Sequence, residues 1–348
     1  MNIFIYLYIH VLMSTSITKF KFKTVSIFST KHVENLARAI SCTLKSTLGI
    51  STTQLVVGRS INIYDCQTNA SNPDEFIFIL IPHLLVSCVS TLPPPGKYVL
   101  YQLEQLNDKG AGNAHPPLSF NALLCRLIQN SFVTFDYSHV NLKYYPEPLR
   151  NKVRVLIPPI LNIHENSSII KNRKAEHEGD IDVLFYGSPN SRRNIILGKL
   201  KTHLEPRGYN MVSVTGIFGK DLVELISKSK VVLNIHFYEN SIFENERVHS
   251  ALRFPRVRVV SERATEADDA MDPIYASHPH IYFCDEIRNY STIEVANNVN
   301  IVEGLLKMCL IALTSWKLDT TTTNALAANE KINGLTRDEL NYSFRTED

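Results

Sequence analysis

Residues 183–193 read Val-Leu-Phe-Tyr-Gly-Ser-Pro-Asn-Ser-Arg-Arg. An apolar run ends at Tyr186-Gly187-Ser188, and Arg192 and Arg193 open a helical pattern. Glycine lets the backbone approach a ligand closely. The first turn of a helix offers free amides and the positive end of the dipole. Two cations are unfavourable for that dipole, and a bound diphosphate would explain them. The alternative is a solvated helix turn with two ordinary arginines. Only one glycine is present, so this is not the G-x-G-x-x-G dinucleotide fingerprint.

A second cluster lies in the stretch NIHFYENSIFENERVHSAL, residues 234–252. A strand is expected to end near His236. Glu239 then stands at the strand-to-helix switch, where a carboxylate accepts hydrogen bonds from sugar or ribose hydroxyls. The expected helix carries Glu244, Glu246, Arg247 and Ser250. Glu244 and Arg247 are spaced i,i+3, and an ion pair on the helix surface accounts for them equally well. It does not account for Glu239. Candidate bases are His83 and His139, each at the end of an apolar run, where a histidine is as often an ordinary packed or surface residue. Substituting Glu239 or Arg193 by alanine is expected to remove activity and leave the fold intact.

Metal chemistry has little support. Asp180-x-Asp182 has ligand spacing but precedes its strand, whereas a metal-binding pair should follow one. Asp268-Asp269 lies in a polar loop. The six cysteines are dispersed, with no Cys-x-x-Cys pair, and read as small buried residues. Neither a metal nor a resident cofactor is expected.

The elements that must position these residues alternate. A strand over Thr24–Ser29 precedes a helical face of Val33, Leu36, Ala37, Ile40, Leu44 and Leu48, stopped by Gly49. Short strands follow in QLVVG, EFIFILI, KYVLYQL, FVTFDYS and VRVLIPP. The second half restarts with DIDVLFYG and repeats strand and helix through KDLVELISKSKVVLNIHF and NERVHSALRFPRVRVVSE. A long helix is expected near 294–316. Strands alternating with helices predict parallel sheets with right-handed crossovers. The predicted fold class is therefore α/β: two tandem Rossmann-like, doubly wound domains facing across a cleft. The expected boundaries are 1–160 for the first domain, 161–180 for a polar linker, 181–318 for the second domain and 319–348 for a polar tail.

Composition agrees with this. The chain has 348 residues, 44% of them apolar and 20% charged, with a net charge of +2. Disordered and collagen-like classes are excluded. No global basic field is available for nucleic acid. The apolar N-terminus MNIFIYLYIHVLM is short of the ~20 residues that span a bilayer and lacks a basic n-region. It reads as an extra strand or loose extension, with a weak signal-anchor as the alternative. A cytoplasmic or membrane-peripheral location is expected.

The segments FYGSPNSRR and YENSIFENERVHSALRFPRVRVVSE resemble the C-terminal nucleotide-sugar domain of GT-B fold glycosyltransferases, in the broad group that contains retaining enzymes. The resemblance covers about residues 180–262. YVLYQLEQL, FDYSHVN and VRVLIPP are similar to segments of the N-terminal domain. The resemblance implies a metal-independent transferase that takes a nucleoside diphosphate sugar as co-substrate. The acceptor would be an unidentified glycan, lipid or protein held by the first half. It also implies roles. Gly187 and Ser188 would face the donor diphosphate, with Arg192 or Arg193 offsetting its charge. Glu239 would lie near the donor sugar and act in catalysis, with His139 as a candidate base. Glu244 and Arg247 would face the donor, and Ser261 and Glu262 would end a strand beside the nucleotide. The chain departs from the pattern at Ser250-Ala251-Leu252, where relatives carry Glu-Ala-Leu, and at Arg253-Phe254-Pro255-Arg256, where they carry a small-residue turn. Ser29-Thr30-Lys31-His32 replaces a glycine-rich turn. A diverged enzyme and an inactive binding relative both fit these departures.

Overall fold

The computed structural model describes residues 24–48, 51–58, 75–80, 93–106, 122–156, 180–237, 243–263, 275, 278–284 and 301–319. Among them the elements run β1 (Thr24–Thr30), α1 (Glu34–Leu48), β2 (Ser51–Gly58), β3 (Glu75–Leu80), β4 (Tyr98–Gln102), α2 (Ala122–Asn130), β5 (Val133–Asp136) and β6 (Val153–Val155) in the first half. The second half has β7 (Ile181–Tyr186), α3 (Ser191–Leu204), β8 (Met211–Val214), α4 (Gly219–Ser227), β9 (Ser229–Asn234), α5 (Asn245–Leu252), β10 (Arg258–Glu262) and β11 (Ile281–Cys284). A last helix, α6, covers 301–319.

The strands form two separate sheets, ordered β2-β1-β3-β4-β5-β6 and β11-β10-β9-β7-β8. Every pairing is parallel. In each sheet the first strand lies between the second and the third, so the winding reverses between β1 and β3 and again between β7 and β9. Open α/β sheets bind ligands outside the carboxyl ends of their strands at such switch points.

The apolar runs have a simple cause. Parallel strands are covered on both faces and lose the alternation of a half-exposed strand. In β3, Phe76, Phe78 and Leu80 enter one core with Val33, Leu36 and Leu44. Ile77 and Ile79 enter the opposite core with Leu124, Leu127 and Ile128. In the second half, Leu184 and Tyr186 pack with Leu222 and Val248, while Val183 and Phe185 face Ile196, Leu200, Leu305 and Leu313. Helix α6 thus closes one face of the second sheet. Its expected start near 294 falls outside the described residues, as do residues 161–179 of the expected linker.

The halves meet at the carboxyl ends of their strands. A Cβ at Gly219 (φ +58°), the first residue of α4, would sit 3.2 Å from Glu34 Oε2 at the start of α1. Asn245 Nδ2, opening α5, donates to the Tyr137 carbonyl just past β5 at 3.5 Å. Asp182 lies at the other end of the second sheet, where it accepts from Lys230 Nζ at 2.6 Å and from the Asn210 amide at 2.7 Å. No described helix is long and apolar enough to cross a membrane. Among the described residues no group of three or more His, Cys, Asp or Glu side chains is placed to hold a metal ion. The four described cysteines, Cys42, Cys125, Cys284 and Cys309, carry free thiols.

Candidate functional site

The site grows from the β7/β9 switch point. Asn190 caps α3, its Oδ1 accepting from the Arg193 amide at 2.7 Å. The buried residues of α3 are Arg193, Ile196, Leu200 and Leu204. Arg193 therefore occupies the first position of the stripe that faces the sheet, and is 2% exposed. Its guanidinium lies between the rings of Phe185 and Phe237, at 5.3 and 5.1 Å from their centroids. Nε and Nη2 donate to the Ile235 carbonyl at 3.0 and 2.7 Å, Nη1 to the Ser188 carbonyl at 2.9 Å, and Nη2 also to Glu244 Oε1 at 3.0 Å. Burial lowers its pKa to about 10, so it stays charged at neutral pH.

Arg192 points a different way. Its Nη2 and Nη1 grip Glu262 Oε1 and Oε2 at 2.5 and 3.2 Å, and Nη1 also reaches the His236 carbonyl at 2.9 Å. Glu262 is fully buried and accepts the His236 amide at 2.7 Å. Ser261, also fully buried, receives Asn234 Nδ2 at 2.9 Å on its hydroxyl, tying β9 to β10.

Arg247 approaches from the first turn of α5. Its Nη1 donates to Asn234 Oδ1 at 2.9 Å and to the Ile235 carbonyl at 3.2 Å, and pairs with Glu244. Its Nη2 makes no hydrogen bond among the described residues. The arginine is 11% exposed at its side chain. A Cβ at Gly187 would sit 2.9 Å from Arg247 Nη2 and 3.2 Å from Arg193 Nη1. Glycine there leaves the backbone turn open to two guanidinium groups. Burial raises the pKa of Glu244, but Arg247, Arg193, His236 and the Phe237 amide outweigh it and hold this carboxylate below its ordinary value. Three guanidinium groups thus face two carboxylates, and one positive charge is left at the Gly187 turn.

The structure brings together Gly187, Ser188, Arg192, Arg193, Glu244, Arg247, Ser261 and Glu262. Glu239 lies outside the described residues, as do His83 and Asp268-Asp269. His139 opens a 3₁₀ turn, His139–Tyr144, behind Ser138. It is exposed, and no hydrogen bond or ion pair joins it to the cluster. Three details depart from the sequence reading. The strand stops at Asn234, because the His236 amide and ring turn to Glu262. Glu244 precedes the first helical residue instead of lying on the helix. The two arginines at the start of α3 are neutralised within the protein, by Glu244 and Glu262, and Arg193 is packed as a core residue.

Sequence reasoning passed over Asn234 and Asn190. A polar residue at the end of the buried run KVVLN was the available signal for the first, and an asparagine just before the helix start for the second. It also passed over Glu104, which follows β4 and whose carboxyl is pushed up to about 7 by burial, with a smaller contribution from the Glu244 charge.

The chain is an α/β protein with two Rossmann-like sheets. No family model matches it, and no curated protein matches it. Among solved structures it is similar to the spinosyn rhamnosyltransferase SpnG complexed with thymidine diphosphate, at 9% identity and a TM-score of 0.34, with 86% of this chain and 100% of that chain covered. At that level no residue role carries over.

Proposed function

We propose that the chain is a glycosyltransferase that moves a sugar from a nucleoside diphosphate donor to an acceptor hydroxyl. The observation that carries this reading is the Gly187 turn at the β7/β9 switch point, where Arg247 Nη2 has no hydrogen-bond partner among the described residues and a Cβ would meet two guanidinium groups. A diphosphate placed there would take hydrogen bonds from Arg247 and from the turn's backbone, beside the N-terminus of α3. The surplus positive charge would stabilise the leaving diphosphate with no bound metal, because fixed donors aimed at developing charge do the same electrostatic work. Gly187, Ser188 and Arg247 would touch the donor. Arg192, Arg193, Glu244, Ser261 and Glu262 would hold those groups in place. Glu239, in the stretch of sequence after β9, would lie near the donor sugar. The first half would present the acceptor, a glycan, lipid or protein.

A second reading is a binding module without turnover. It is favoured by the internal neutralisation of Arg192 and Arg193, whose charges are met by Glu262 and Glu244. A panel of uridine, thymidine and guanosine diphosphate sugars separates the two. A transferase is stabilised against heat by at least one donor and releases free nucleoside diphosphate from it. A binding module shows stabilisation without release. No stabilisation by any donor overturns both.

A further inference from the structure

Two contacts between the halves flank the Gly187 turn. In the second sheet β7 lies between β9 and β8. On the β8 side, the Gly187 amide donates to the Val214 carbonyl that ends β8, at 3.2 Å, and α4 opens soon after at Gly219. On the β9 side stand Glu244, which binds Arg193 and Arg247, and Asn245, which opens α5. Gly219 meets Glu34 of α1, and Asn245 meets the Tyr137 carbonyl past β5. In the first sheet β3 and β4 lie between β1, which leads to Glu34, and β5, which leads to Tyr137. The two contacts therefore bracket the opening between the first sheet and the Gly187 turn.

The Glu34 contact is the more elaborate. Arg38, one turn along α1, donates from Nε and Nη2 to Glu34 Oε1 at 2.9 and 2.5 Å, which leaves Oε2 to face the second half. A Cβ on Gly219 would sit 3.2 Å from that oxygen, so glycine is what lets α4 come this close. Its φ of +58° lies in the left-handed region that glycine enters freely. Phe218 precedes α4 and makes no side-chain cap, so the positive end of the helix is offered to the carboxylate.

We propose that Glu34 seated on Gly219 is a closing contact of the cleft, and that Glu34 is a positioning residue that sets how near the first half stands to the Gly187 turn. Its effect on turnover rests on the donor reading above. Its effect on the shape of the chain does not. With the contact made, an acceptor held by the first half is presented to the donor at a fixed distance. With the contact broken, the second half still binds donor and transfer slows, since a misplacement of ~1 Å costs up to about 10²-fold in rate.

The test uses the full chain as wild type, Gly219→Asn, Glu34→Ala and the double variant. Asparagine tolerates left-handed φ, so it acts as a wedge against Glu34 with little backbone strain. Radius of gyration by small-angle X-ray scattering, donor affinity and nucleoside diphosphate release are measured with the same donor panel. Gly219→Asn is expected to have a larger radius of gyration, to bind donor within about twofold of wild type and to lose about ten- to a hundredfold in turnover. In the Glu34→Ala background the asparagine should add no further expansion or loss, because the wedge has nothing to press on. A wild-type radius of gyration in Gly219→Asn overturns the closing contact. So does an asparagine effect of the same size in both backgrounds, or a loss of donor affinity that matches the loss of turnover. If wild type neither binds nor turns over any donor, the donor reading falls, and the radii of gyration alone decide whether the contact stands.

Discussion

Arg193 Nη2 donates to Glu244 Oε1 at 3.0 Å, linking the first turn of α3 to the residue that precedes α5. The pair spans the β7/β9 switch point and fixes both edges of the Gly187 turn. Because Arg193 is packed between two aromatic rings, its loss is first a folding event. Arg193→Ala would strand the Ser188 and Ile235 carbonyls and remove one of the two cations that balance Glu244. Breaking a buried pair on one side costs about 3–5 kcal/mol. Urea unfolding should show that drop. Arg193→Lys should recover little of it, since an ammonium cannot match the planar fork.

The Arg192–Glu262 pair behaves differently on double substitution. Glu262 is fully buried, so Arg192→Met leaves an uncompensated carboxylate and should cost about 3–5 kcal/mol. Arg192→Met with Glu262→Gln removes both charges and should restore most of the stability. A double-mutant cycle in urea measures the coupling. Additive losses would mean that the two side chains stabilise the fold independently.

Gly187 is a steric matter. Gly187→Ala puts a methyl 2.9 Å from Arg247 Nη2 and 3.2 Å from Arg193 Nη1, on a backbone with φ +154°. The Arg247 head group must give way. Donor affinity should fall at least about tenfold, or about 1.4 kcal/mol. Isothermal titration with the donor that stabilises wild type checks this.

Stability should also depend on pH with a defined sign. Burial pushes Asp136, Glu104 and Glu246 each up to about 7. A carboxyl whose folded value is raised holds its proton more tightly when folded. Its contribution is complete below the unfolded value near 4 and is lost as pH rises through about 7. Glu244, held low, acts only below about 4.5 and in the opposite sense. His32, His278 and His280, held low by burial, act in the opposite sense below about 6.5, so the carboxyl contribution is read by comparison: from pH 5 to pH 8 the urea midpoint of Asp136→Asn should gain on that of wild type. A midpoint difference between the two that stays constant over this range would contradict the raised Asp136 carboxyl.

Much of this architecture is legible in the sequence, and the reason is local. Continuous apolar strands such as EFIFIL and helices with one apolar face follow from covering both sides of a parallel sheet. The Gly187 turn and the arginine pair are visible because they are adjacent in the chain. What the two arginines do is not visible from composition. Arg193 shares the phase of Ile196, Leu200 and Leu204, while Arg192 is one residue off that stripe, and this turns one inward and leaves the other at the rim. The partners Glu244 and Glu262 come from other strand ends, and only the fold brings them there. Glu104 is the extreme case. Nothing in QLEQLND marks that glutamate, since its raised carboxyl comes from burial and from the Glu244 charge, which only the fold supplies.

Arg247 and the Gly187 turn are proposed to bind the diphosphate of a sugar donor. The most direct measurement is the dissociation constant of a nucleoside diphosphate sugar for wild type and Arg247→Met, with thermal unfolding of both as the folding control. A hydrogen bond to a charged group is worth about 1.5–3 kcal/mol, so the variant should bind about ten- to a hundredfold more weakly while remaining folded. An unchanged dissociation constant in folded Arg247→Met, or no binding by wild type, would contradict the claim.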